Sequence, residues 1–344
     1  MGFSMGNGNK HLFASALTGK GFHSFWGEVL ADLQHLYLLR GSSPGDKSVF
    51  LRLVGHALTE RGYQINYCHR PGSQLALEGL VVRPLRAAIL DQSCTGLYGV
   101  SSSPFLRVVE IDLPRQAHRP KQDSGEEELQ SRLEAMRLLE EAARIWEDTC
   151  AFFRLHSAGR VSHWPGAGWM KELLEKPSRL KHFFAGTVTA EGPVDLIDHL
   201  TSGCRKRYFI RGVPGTGGPV MQDALFRGLS RHWDVEAYHS YIDPGYLVAL
   251  IFPEIGLAVV DGTCGFALSP LPGDIVCDLA GYQGGGSAFA HAARTNGKQA
   301  ELDDLLKAAG RALRRSQKSA VPSGVSGQDV AAFVSRFLKE IANP

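Results

Sequence analysis

Apolar residues in this chain fall into short, unbroken runs, and the runs recur. Leu36-Tyr-Leu-Leu39 and Tyr208-Phe-Ile210 are continuous rather than alternating, which marks strands buried on both faces, as in a parallel sheet covered by helices. Beyond the first run, Val49, Leu53, Val54 and Ala57 fall at helical spacing,. A further strand ends at Tyr67-Cys-His69 and again at Tyr238-His239, and another apolar strand ends at Asp91 and at Asp261. Two sets of βαβ units follow: an α/β chain with mostly parallel sheets flanked by helices.

The two sets are copies. A shift of 171 residues carries His11-Leu-Phe-Ala onto His182-Phe-Phe-Ala, Gly21 onto Gly192 and Tyr37-Leu-Leu-Arg-Gly41 onto Tyr208-Phe-Ile-Arg-Gly212. One residue of slippage then aligns Ala88-Ile-Leu-Asp91 with Ala258-Val-Val-Asp261, followed by Ser93-Cys94 and Thr263-Cys264. Order and spacing held over separated blocks indicate tandem duplication.

Between the copies, the polar stretch Arg115 to Gly125 reads as a linker, and Ser124 with Glu127 forms a capping box that opens a long helix,. Its apolar stripe, Leu129, Leu133, Met136, Leu139, Ala143, Trp146, Cys150 and Phe153, is expected to pack on the first domain,. Leu302 to Leu313 is a shorter counterpart, and Val330 to Ile341 a final helix. The expected organisation is a first P-loop-like domain over 1–113, a linker and helix over 114–175, a second P-loop-like domain over 176–315, and a loose segment with a C-terminal helix over 316–344.

Composition adds exclusions. At 344 residues, 44% hydrophobic and 21% charged, the chain suits two globular domains,. A formal net charge of +2 gives no field for nucleic acid, and the run Arg311, Arg314, Arg315 reads as a solvated helix face,. No stretch is apolar for about 18 residues and no signal peptide opens the chain, so a cytoplasmic location away from membranes is expected. The six cysteines are scattered without C-x-x-C spacing and read as reduced,.

The candidate chemistry lies after the first strand of each copy. A strand, G-x-x-x-x-G-K-[ST] and a helix together bind polyphosphate: glycines let backbone amides face the phosphates, Lys neutralises them, and the hydroxyl holds magnesium. The first copy reads Gly41-Ser-Ser-Pro-Gly45-Asp46-Lys47-Ser48, keeping Lys47 and Ser48 but placing Asp46 at the second framing glycine. That carboxylate either repels phosphate, by about 4 kcal/mol at ~4 Å and an effective dielectric of ~20, or caps the helix. The second copy, Gly212-Val-Pro-Gly215-Thr216-Gly217-Gly218-Pro219, keeps the glycines but has lost Lys and Ser. Asp91 and Asp261 take the place of the carboxylate that reaches magnesium. Lys47 and Asp91 are therefore the candidate catalytic pair. Gly41, Gly45, Lys47, Ser48, Gly212, Gly215, Thr216 and Gly217 are the candidate nucleotide-binding residues, and Ser48, Asp91 and Asp261 the candidate metal ligands. His69 and His239 end strands at a cleft edge, as His11 and His182 open the repeats; Asp243 stands either at a substrate or in a turn.

This combination, present twice, resembles a family of bacterial duplicated P-loop proteins labelled ATP-binding protein, ATPase or nucleotide-kinase-like. Its loops read Gly-x-Pro-Gly-Thr-Gly-Lys-Ser. Lys47 and Ser48 match in the first copy, and Pro214, Gly215, Thr216 and Gly217 in the second; Asp46, Gly218 and Pro219 depart from it. The resemblance covers Lys10 to about Leu113 and Lys181 to about Tyr282. It implies ATP or a related nucleotide with magnesium as ligand, and leaves open an unknown small-molecule or protein partner. The expectation is weak or impaired ATPase or nucleotide-kinase activity; the alternative is a non-catalytic pseudo-NTPase serving as nucleotide sensor or scaffold.

Overall fold

The computed structural model describes residues 8–93, 106–113, 124–156, 179–279, 288–316 and 327–342. The Arg115–Gly125 linker, the Ser124 side chain and Cys94 lie outside the residues and side chains so described. In the first half, β1 (Lys10–Leu12) leads into a hairpin of β2 (Ser15–Thr18) and β3 (Gly21–Ser24) and the single turn α1 (Trp26–Leu30). Then come β4 (His35–Gly41), α2 (Pro44–Thr59), β5 (Asn66–His69), β6 (Leu77–Val82), β7 (Ala87–Asp91) and β8 (Arg107–Leu113). After α3 (Ser124–His156) the series repeats as β9 (Leu180–Phe184), β10 (Gly186–Thr189), β11 (Gly192–Asp195) and α4 (Ile197–Thr201). It continues through β12 (Lys206–Arg211), α5 (Gly218–Ser230), β13 (Val235–His239), β14 (Leu247–Phe252), β15 (Leu257–Asp261) and β16 (Ile275–Asp278), before α6 (Ala288–Ser316) and α7 (Gly327–Ala342).

Each half builds a six-stranded sheet, ordered β1-β5-β6-β7-β4-β8 and β9-β13-β14-β15-β12-β16, so the two orders coincide strand for strand. Both sheets are mostly parallel; β6 and β14 alone run against their neighbours. A single 3-10 turn, Arg83–Leu85 or Pro253–Ile255, joins each of them to the next strand, and a link that short permits only an antiparallel pair. β4 lies directly beside β7, and β12 beside β15, with Leu39 opposite Asp91 and Ile210 opposite Asp261. Each strand-ending aspartate thus stands next to the start of a helix.

The halves interlock about a pseudo-twofold axis. The equivalent residues Phe13 and Phe184 form an antiparallel bridge across it, the Phe184 N–H donating to Phe13 O at 2.9 Å. α4 packs on β1 and α1 on β9, each helix crossing to the other half's sheet. One core cluster accordingly spans both halves, joining Leu12, Phe13 and Trp26 to Phe183, Phe184 and Ile242.

The helices depart from expectation in two ways. α3 packs across both halves rather than on the first alone: it meets Gly19 through Ala143, and Gly215 and Gly265 through Cys150 and Trp146. Its buried stripe contains Ala135, Leu139, Ala142, Ala143 and Trp146, while Leu129 and Leu133 are exposed. Small residues on that face allow α6 to lie close alongside,. The C-terminal helix α7 belongs to the first half, burying Phe333, Val334 and Phe337 against Tyr37, Phe50 and Val54. Arg314 of the basic run donates to Ala190 O at 3.1 Å, and Arg315 pairs with Glu134 at 2.5 Å. Among the described residues no helix is long and apolar enough to cross a membrane.

Candidate functional site

Residues 41–48 and 212–219 both lie at a strand-to-helix junction, but the junctions differ in length. α5 begins at Gly218, the position of the motif lysine, whereas α2 begins at Pro44, three positions earlier in the alignment. The equivalent of Pro44 is Gly215, which sits at φ +79°. Proline is locked near φ −65° and cannot take that conformation. The first half therefore turns straight into the helix, and Gly45, Asp46, Lys47 and Ser48 occupy its first turns instead of a phosphate-cradling loop.

Asp46 acts as a cap. Ser43 Oγ accepts from the Asp46 N–H at 3.1 Å, and the Asp46 carboxylate accepts from the Ser43 hydroxyl at 2.7 Å, the Ser42 hydroxyl at 2.9 Å and, more weakly, the Ser43 amide at 3.4 Å. This capping box places an anion of the protein's own where a phosphate would sit. Lys47 is buried and its Nζ donates to Asp91 Oδ1 at 2.7 Å, while Arg70 pairs with Oδ2 at 2.5 Å and the Ser93 N–H adds a third donor at 3.0 Å. Burial pushes the Asp91 carboxyl up, but the Lys47 hydrogen bond and the charges of Arg70 and Lys47 outweigh it and hold the group below the ordinary carboxylate range,. Ser48, the expected magnesium ligand, accepts from the Leu77 N–H at 2.9 Å and is buried. Gly41, at φ +81°, lies so close to Leu113 O that a Cβ would approach to 2.4 Å; it closes the strand edge.

The second junction keeps the long loop and fills it differently. The amide of Gly215 donates to Thr263 O and that of Gly217 to Thr263 Oγ1, both at 2.9 Å, while the Thr216 amide and hydroxyl turn back to Val213 O at 3.2 and 2.7 Å. A Cβ at Gly217 would meet the Asp261 carboxylate at 2.1 Å, one at Gly215 the Cys150 sulfur at 2.6 Å, and one at Gly212 the Thr216 hydroxyl at 2.6 Å. Where Gly218 replaces Lys, the ring of Tyr246 moves in beside it. The Tyr246 hydroxyl donates to Asp261 Oδ2 at 2.6 Å, and Thr263 donates to Oδ1 through its amide at 2.8 Å and its hydroxyl at 2.7 Å. Asp261 is fully buried, and burial raises its carboxyl to about 6 despite these three donors.

Nucleotide and magnesium do not fit these residues as they stand. Both expected metal-binding carboxylates spend their oxygens on internal donors, and the amides of Gly215 and Gly217 face Thr263. Of the residues the sequence pattern singled out, Lys47 and Asp91 are in contact, whereas Ser48 bonds the Leu77 amide instead. It missed Arg70, Tyr246 and Cys150, which carry no motif. Thr263 had a visible signal, the hydroxyl residue two places after each aspartate, shared with Ser93.

The histidines form a second cluster. His11 Nδ1 lies 2.8 Å from His69 Nε2, and His182 Nδ1 lies 2.7 Å from His239 Nε2, one pair in each half. The His11 amide donates to His199 Nε2 at 3.2 Å, and the Phe25 ring lies tilted against His182 and His239, so both pairs line the junction of the halves. Asp243 makes an Asx turn to the Gly245 amide at 2.9 Å and pairs with Lys20. Compared with known proteins, the chain matches no family model, no curated protein and no solved structure.

Proposed function

We propose that the chain is a non-catalytic P-loop-like protein, a pseudo-NTPase of the cytoplasm. In this reading its phosphate cradles are filled by its own side chains and its fold serves as a rigid scaffold for a partner. The observation that carries this reading is the fate of the two aspartates: Asp91 is ion-paired with Lys47 and Arg70, and Asp261 is buried and hydrogen-bonded by Tyr246 and Thr263. Phosphoryl transfer rests on positioned positive charge facing the nucleotide. Here that charge faces inward, and Asp46 adds a negative one at the helix start.

The second reading, an impaired ATPase or nucleotide kinase using Lys47, Ser48, Asp91 and magnesium, is favoured by one feature: lysine and carboxylate still meet at the end of adjoining strands. Magnesium-dependent ATP turnover by wild type and Lys47→Met separates the two. The scaffold reading expects no turnover above the protein-free blank in either. Turnover by wild type that Lys47→Met abolishes overturns it. So does a rise in melting temperature with ATP and magnesium that the same substitution removes.

A further inference from the structure

A cleft of about 270 Å³ opens away from both cradles, where the first half's α1 and 3-10 turn meet the start of β9, and Asp32, Leu33, Arg83, Arg86 and Arg179 line it. Its charges are unbalanced. Asp32 is its one carboxylate, and Lys181 already pairs with it at 2.5 Å. Arg86 is tied to the backbone, donating to Asp32 O through Nε and Nη2 at 3.1 Å each. Arg83 stands 4.0 Å from Asp32 through Nη1, while its Nη2 is buried with no hydrogen-bond partner. Of the carboxylates beyond it, Asp234 accepts from the Arg179 N–H at 3.0 Å and Glu236 is held through both oxygens by Lys10, so the cleft's three guanidinium groups outnumber the carboxylates at its edge. Burial lowers the Lys181 ammonium below its ordinary value with the positive charges of Arg83 and Arg179 adding to it, and the Asp32 pair does not restore it.

The duplication supplies an independent observation. At the equivalent place in the second half, Gly203 stands for Asp32, Pro253 for Arg83 and Gly256 for Arg86. Gly256 sits at φ +58°, a conformation glycine takes freely; Arg86 holds the same left-handed backbone at φ +47°, where a side chain adds strain. These arginine positions are thus particular to one end of a symmetric fold, the other end setting Arg205 against Gly256 and Ile255 O instead, and one of them is kept at a position suited to glycine.

We propose that this cleft binds a small phosphorylated anion, its oxygens bridging the guanidinium groups of Arg83, Arg86 and Arg179. Guanidinium forks match phosphate oxygens in pairs, and the volume suits a pyrophosphate or phosphosugar better than a whole nucleotide. The test is calorimetric titration of the full chain with inorganic pyrophosphate, beside citrate and sodium chloride at matched ionic strength. Saturable pyrophosphate binding is expected, weakened at least about tenfold in Arg86→Gly and in Arg179→Ala, because each removes a charged hydrogen-bonding partner. Arg86→Gly relieves the left-handed strain but also removes the two bonds to Asp32 O, so an unchanged melting temperature in each variant marks the loss as one of binding and not of folding. Binding is expected to persist in Lys47→Met, which distinguishes this site from the cradles. No saturable heat beyond the salt control, wild-type affinity in both arginine variants, or citrate binding as tightly as pyrophosphate overturns the proposal.

Discussion

Asp261 shows how one buried carboxylate reports on the whole second cradle. Its folded-state value of about 6 lies above that of an unfolded aspartate, because burial disfavours the charge more than Tyr246 and Thr263 restore it,. The sign follows from linkage: the contribution to stability is complete below about pH 4 and is lost as pH rises through about 6, a change on the order of 3 kcal/mol. Asp261→Asn keeps an acceptor for Thr263 and removes the charge. Its melting temperature relative to wild type is therefore expected to climb between pH 4 and pH 7.5, as followed by circular dichroism. Parallel curves for the two proteins count against a buried, reluctant carboxylate.

At the level of elements, helix starts and strand ends decide the site, and these were unequally legible. The buried strands β4, β7, β12 and β15 were plain in their continuous apolar runs, as was the adjacency of Lys47 and Asp91. The true start of α2 turned on Pro44, one residue whose fixed φ outranks an eight-position motif. β6 and β14 run antiparallel because of a three-residue turn, which apolar runs do not signal. The crossing of α1 and α4 between halves had no sequence mark beyond the histidines it brings together. Burial, with neighbouring histidines and, for His11 and His69, Arg52 adding to it, lowers His11 and His239 to about 4 and His69 to about 3, so they stand neutral in the folded protein. Depressed values of this kind contribute stability above about pH 6.5 that is lost as pH falls toward 4. Each tenfold loss of proton affinity on folding is worth about 1.4 kcal/mol, so the three together contribute several kcal/mol. Imidazole NMR signals of these three are expected to stay neutral at pH 5.5 while the protein is folded. Titration near 6.5 would show that the junction is wet and the pairs loose.

For the whole molecule, the consequence is that the core cluster at the junction belongs to neither half alone, although the second half keeps one of its own around Tyr208 and Trp233. Phe13 bridges Phe184, α1 lies on β9 and α4 on β1, and the hairpin turn at Ala190 donates to Gly72 O at 3.3 Å. The first half also lacks its outer cover until α7 arrives from the far end of the chain, bringing Phe333 and Phe337 to Tyr37. A fragment of residues 1–156 would expose Phe13, Trp26 and the Tyr37 face together, and each large apolar side chain left in water forgoes roughly 1.5–3 kcal/mol. Against a total stability of about 5–15 kcal/mol, a few such side chains are decisive. Fragments 1–156 and 157–344 are therefore expected to be unfolded or insoluble when expressed singly, and to recover cooperative unfolding when co-expressed. A singly expressed fragment that melts cooperatively would show that the halves are beads on a string. In that case the Arg83 cleft, which draws Arg179 and Lys181 from the second half, would survive in neither fragment and would reappear only on mixing, so pyrophosphate binding itself measures the reassembly.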